Sequence, residues 1–125
     1  MGRSNEQVVR DFCAAWTRKD AEELLGYFTE DAVYHNIPMP PVHGKAAIRE
    51  AFGFFLPLSD KVDWEMVNLA VAGDVVFTER IDRFVLAGRD VALPVAGVFE
   101  LEGGRIRAWR DYFDMADWQR QTGMG

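Results

Sequence analysis

Residues 75–114 read VVFTERIDRFVL, AGRD, VALPVAGVFEL, EGG, RIRAWRDYFD, and this stretch decides the fold. Three runs rich in β-branched and aromatic residues are separated by two short turns. Each turn holds a glycine, which supplies the positive φ that hairpins need. Upstream, Asp63 to Val71 forms a further strand that turns through Ala72-Gly73-Asp74 into the run Val75 to Leu86. Connections this short exclude parallel crossovers, so the region is an antiparallel meander. Pro94 and Gly97 fall inside the strand Val91 to Leu101. A strand proline predicts an edge position or a bulge, and a strand glycine a bend, so a strongly curved sheet is expected.

The preceding half changes period. Ser4 or Asn5 can cap a first helix, in which Val8, Phe12, Ala15 and Trp16 recur at three- and four-residue spacing. Lys19-Asp20 breaks that pattern, and Asp20 can cap a short second helix with Leu24, Leu25 and Phe28 as its apolar positions. Thr29-Glu30-Asp31 reads as a turn and Ala32 to Asn36 as a short strand. Pro38, Pro40 and Pro41 end that strand. A third helix is expected from Ala46 to about Leu56, with Ile48, Ala51, Phe52 and Phe55 inward and Pro57 as its stop. His43, before Gly44, is placed to cap it. Asp114 to Trp118 can start a terminal helix. The order predicts an α+β fold of one domain, residues 1–125. Three to four helices pack on one face of a curved, mainly antiparallel sheet, making a cone with a pocket in its concavity.

Composition narrows the function. With 125 residues, 49% hydrophobic and 27% charged, the chain can close one core unaided. A net charge of -6 argues against nucleic acid as a partner, since binding it needs a basic face. No run approaches the length of a membrane span, and a reducing cytoplasm is the expected compartment. The single cysteine, Cys13, excludes an intramolecular disulfide and reads as a small buried hydrophobe. Two histidines without a compact motif give no metal site. The only serines are Ser4 and Ser59, and neither stands in a nucleophile elbow.

Residues two apart on a strand share a face. This groups Tyr34 with Asn36, Arg80 with Asp82, and Asp111 with Trp109 and Phe113. Asp111 is either on the wet face of its strand or held in a dry pocket. The strand 75–86 leaves the same question open. One face carries Arg80 and Asp82, the other Glu79 and Arg83, so both faces bear an opposite-charge pair.

Three segments resemble the limonene-1,2-epoxide hydrolase family. They are Tyr34-His35-Asn36-Ile37-Pro38, Thr78-Glu79-Arg80-Ile81-Asp82, and Gly97-Val98-Phe99-Glu100-Leu101 followed by Trp109-Arg110-Asp111-Tyr112-Phe113-Asp114. They recur in the family's order, and the likeness runs from the first helix to Trp118. It implies the nuclear-transport-factor-2-like cone, a homodimer, no metal and no cofactor. It also implies roles. Asp111 would be the general base, with Tyr34, Asn36 and Asp111 holding the attacking water. Asp82 would be the general acid, and Arg80 would stand between the two carboxyls. The shorter N-terminal segment, Pro94 and Trp118 depart from the family and bear on substrate identity.

The chemistry needs such a set. Water is a poor nucleophile and requires a base, while the ring oxygen leaves as an alkoxide and requires an acid. Two carboxyls serve both ends when their pKa values are pushed apart. Phe52, Phe55, Phe84, Leu93, Val95, Phe113 and Trp118 are candidates for an apolar wall around a small hydrophobic epoxide. A polyketide-cyclase- or isomerase-like enzyme, or an apolar-ligand binding module, would share the fold. Neither needs paired Arg80 and Asp82 beside Tyr34 and Asn36.

Overall fold

The computed structural model describes residues 2–124. Helix α1, Asn5–Ala15, is capped by Ser4, whose side chain accepts from the amide of Gln7. A 3₁₀ turn, Trp16–Arg18, leads to the short helix α2, Ala21–Leu25, capped by Asp20. Strands β1, Phe28–Asn36, and β2, Val42–His43, precede helix α3, Lys45–Leu58. The meander follows as β3, Ser59–Ala72; β4, Val75–Leu86; β5, Arg89–Glu102; and β6, Arg105–Tyr112. Helix α4, Met115–Thr122, closes the chain and is capped by Asp114.

The six strands form one sheet in the order β2-β1-β6-β5-β4-β3. Only β1 and β6 pair in parallel, joining the ends of a chain segment that spans the whole meander. The core lies between the helices and one sheet face, around Phe12, Trp16, Phe28, Phe52, Phe99 and Trp109, all nearly or fully buried.

Several local expectations need correction. Thr29-Glu30-Asp31 is not a turn, and Phe28 is not helical. Both lie in β1, at a register shift against β6 between Phe28 and Val33. Polar turn-formers fit there because a bulge leaves residues unpaired. Helix α3 does not stop at Pro57 but runs one residue past it. The partner that Pro57 fails to supply belongs to Gly53, which is exposed to water. His43 caps nothing. It lies in β2, and α3 begins after Gly44 without a side-chain cap.

Neither Pro94 nor Gly97 marks a bulge, since β5 keeps an unbroken register with β4. The irregularities that bend the sheet fall in β1, at two points in β3, and between Glu100 and Leu101. Pro94 is tolerated because β6 pairs with β5 only from Ala96 onward, leaving the outer side of residues 89–95 open. At Ala92 that open side is filled by Gln121 of α4, which accepts from the amide at 2.8 Å and donates to the carbonyl at 2.9 Å. A side-chain amide thus replaces a missing strand partner and fastens α4 beside the sheet.

Candidate active site

Strand register brings the scattered polar residues together. Thr78 pairs with Gly97, and Gly97 with Asp111, so the three lie in one row across β4, β5 and β6. On the other side of β6, Asn36 pairs with Asp111 and Tyr34 with Trp109. The middle of the row has no side chain. A Cβ on Gly97 would stand 2.5 Å from Arg80 Nη1, 2.7 Å from Thr78 Oγ1 and 2.8 Å from Asp111 Oδ1. The vacancy over Gly97 is therefore where the Arg80 guanidinium lies. Here glycine serves close approach, not a turn.

Arg80 is fully buried, and Asp82 and Asp111 are nearly so. All five guanidinium N–H groups have acceptors. Nε donates to Asp82 Oδ1 at 2.9 Å, and Nη2 to Asp82 Oδ2 at 2.8 Å. Nη2 also reaches Asp111 Oδ2 at 2.8 Å. Nη1 reaches Asp111 Oδ1 at 3.1 Å and Thr78 Oγ1 at 3.2 Å. Asp111 Oδ1 takes one further bond, from Trp109 Nε1 at 2.7 Å. The Trp64 ring lies 4.7 Å from the guanidinium carbon and adds a cation–π contact.

One cation between two buried carboxyls cannot neutralise both. Burial pushes Asp82 up to about 6, with the Asp111 charge adding to it, against the opposing pull of Arg80. Burial works against the charge on Arg80, but Asp111 and Asp82 outweigh it and hold its pKa well above the ordinary value. Asp82 therefore keeps its proton to higher pH than an ordinary carboxyl. Tyr34 is likewise pushed up by burial and then by the Asp111 charge, so it stays a neutral phenol. Its hydroxyl accepts from Asn36 Nδ2 at 2.9 Å, and its ring stacks on Trp109 at 4.4 Å.

These groups open onto a cavity of about 480 Å³ between the sheet, α3 and α4. Tyr34, Asn36, Asp82 and Asp111 line it, and Arg80 stands behind the two carboxyls. All seven expected wall residues line it as well. Phe54 and Leu58 also line it while 67% and 37% exposed, which marks its open side. The sequence pattern passed over Phe54 because it lies off the apolar stripe of α3. Gly97, Thr78 and the indole N–H of Trp109 were missed for a different reason: their roles exist only across strands.

Cys13 is buried and its thiol is pushed up to about 12 by that burial, leaving it inert. Among the described residues no three His, Cys, Asp or Glu side chains gather as metal ligands. Among the described residues no helix is long and apolar enough to cross a membrane.

Residues 3–123 match the family model described as the limonene-1,2-epoxide hydrolase catalytic domain. The chain is 30% identical over 112 residues to epoxide hydrolase EphG of Mycobacterium tuberculosis, covering 88% of this chain and 73% of that protein. A solved LEH-like epoxide hydrolase from M. tuberculosis superposes with a TM-score of 0.83 at 26% identity, over 94% of this chain and 88% of that one. An NTF2-like protein of unknown function from Burkholderia pseudomallei superposes at 0.85 with 22% identity, over 98% and 100% of the two chains, a likeness of fold alone.

Proposed function

We propose, for a chain that belongs to the limonene-1,2-epoxide hydrolase family, that it adds water to a small hydrophobic epoxide in one step to give a vicinal diol. The observation that carries this reading is the Arg80 bridge, which holds two buried carboxyls at the wall of an apolar cavity.

Asp111 is the base and Asp82 the acid. A water held by Tyr34, Asn36 and Asp111 attacks one ring carbon as Asp111 takes its proton. The ring C–O bond breaks, and the pair of electrons goes to oxygen, which receives the proton of Asp82. No covalent ester forms. At the end Asp111 carries a proton and Asp82 a charge. Exchange through cavity water restores the starting state. Orientation of the water contributes by converting a bimolecular encounter into a bound, aligned one. An isomerase working with a single base has no use for the second carboxyl or its bridge.

The direct test is a panel of cyclic and linear epoxides assayed for diol. The acid role of Asp82 also sets a pH dependence. Its pKa is raised to about 6, so the donor form is lost as pH rises through that value. The logarithm of kcat/KM should then fall on the alkaline side with an apparent pKa near 6, a value that belongs to the coupled pair. A profile flat to pH 8 would remove Asp82 from the acid role.

The outer sheet face supports a homodimer. Phe77 and Tyr112 are 46% and 45% exposed there, with Val98 paired to Phe77 and Ala96 to Tyr112. Such a patch on β4, β5 and β6 suits a self-complementary contact. Light scattering should give twice the chain mass, and Phe77→Asp should halve it. A wild-type chain at single mass would end this reading.

A further inference from the structure

Arg80 treats its two carboxyls almost alike. Asp111 receives two guanidinium bonds, at 3.1 and 2.8 Å, and Asp82 two, at 2.9 and 2.8 Å. Arg80 alone therefore does not decide which carboxyl gives up its proton. The difference lies behind Asp111. Trp109 Nε1 donates to Asp111 Oδ1 at 2.7 Å, whereas among the described residues Asp82 has no side-chain donor besides Arg80. A carboxylate oxygen offers about two acceptor sites. On Asp111, Oδ1 has both filled, by Arg80 and Trp109, while Oδ2 has one filled, by Arg80.

We propose that Trp109 is a positioning residue that breaks the symmetry of the carboxyl pair: its indole N–H keeps the negative charge on Asp111 and leaves Oδ2 as the atom that takes the proton from water. This rests on the epoxide-hydrolase reading of the site. The indole is well fixed for the task. It is fully buried, stacked on Tyr34 at 4.4 Å and on Phe99 at 5.4 Å, with the edge contact of Phe12 at 5.0 Å. It stands outside the cavity lining, so it meets Asp111 and not the substrate. The same ring orients Tyr34, whose hydroxyl meets Asn36, so one side chain aligns both the base and the water-holding pair. A charge-assisted bond of this kind is worth far more to the ionised carboxyl than to the neutral one.

The test separates the N–H from the ring. Incorporating 3-benzothienylalanine at position 109 replaces the N–H by sulfur and keeps the stacking area. Trp109→Phe serves as a second variant. The benzothienyl protein should unfold at close to the wild-type temperature. Its kcat should fall roughly ten- to a hundredfold, the range for removing one bond to a charged group. KM should stay near the wild-type value, and the acid limb of the pH profile should move to higher pH.

A readout without substrate is available in carbon-13 NMR of the aspartate carboxyls. The pH dependence of the Asp82 signal, which the Asp111 charge helps to set, should change from the wild type to the variant. An unchanged kcat, pH profile and carboxyl titration would overturn the proposal. So would a loss of activity that tracks a loss of thermal stability while the carboxyl titration stays put. A wild type that forms no diol would instead defeat the hydrolase reading, and the carboxyl titration would still decide the role of Trp109.

Discussion

Asp111→Asn should give a folded protein whose diol formation is slower by about a thousandfold or more, the upper range for loss of a general base. Two effects combine. The amide cannot take a proton from water. Its Nδ2 also meets a donor whichever oxygen it replaces, because Arg80 and Trp109 direct three N–H groups at the Asp111 carboxylate, two at Oδ1 and one at Oδ2. The second effect falls on Asp82. With Asp111 neutral, Arg80 has one carboxylate left to hold, and the Asp111 charge that helped to raise Asp82 is gone. Asp82 should then ionise at lower pH than in the wild type, which shrinks the fraction of its donor form further. Circular dichroism and a melting curve establish the fold, and gas chromatography of the diol measures the rate. Retained turnover in a folded variant would strip Asp111 of its role.

Arg80→Met should have the largest effect on stability. The side chain is of similar length, but it leaves two buried carboxyls without their cation. Breaking a buried ion pair from one side costs about 3–5 kcal/mol, because the remaining charge is uncompensated. The pH dependence gives the diagnosis. Asp82 already titrates near 6 in the folded protein, above its ordinary 3.8. Between those values the folded state binds more protons than the unfolded one, so stability falls as pH rises through the window. Without Arg80, whose charge opposes the rise, Asp82 gains still more from holding its proton. The deficit of the variant should therefore be greatest at pH 7 and shrink toward pH 4, where Asp82 carries its proton. Melting temperatures of both proteins over that range would show it. A deficit independent of pH would mean that Arg80 acts through packing and not through charge.

The two substitutions read different properties of one site. The first removes the proposed proton acceptor and leaves the cation paired, so rate should suffer and fold should not. The second removes the cation and leaves both carboxyls in place, so fold should suffer and its pH dependence change.

Much of this was legible beforehand. The hairpin glycines, a first cap at Ser4 or Asn5, the cap Asp20, the helix start at Asp114, and the two-residue spacings of Tyr34–Asn36 and Arg80–Asp82 are local features, and local features survive in a sequence. The likeness of three short segments to one family added the expectation that these pairs meet. What misled was also local. Thr29-Glu30-Asp31 carries turn chemistry but is drawn into β1 because the residues on either side of it, Phe28 and Val33, pair with β6. Pro94 looks like a bulge but lies where β5 has no partner on its open side. In both cases the neighbour that decides is distant in the chain.

By itself, then, the sequence determined the order of elements, the antiparallel meander and which residues share a strand face. The tertiary structure decided which face of β4 turns inward. A period of two cannot do so when both faces carry an opposite-charge pair, Arg80 with Asp82 and Glu79 with Arg83. The choice is made across the sheet. Arg80 can lie inward because Gly97 leaves room for its guanidinium and Asp111, 31 residues further on, supplies the second carboxylate. Glu79 and Arg83 can stay outside because water and the exposed partners Asn68 and Glu65 satisfy them there.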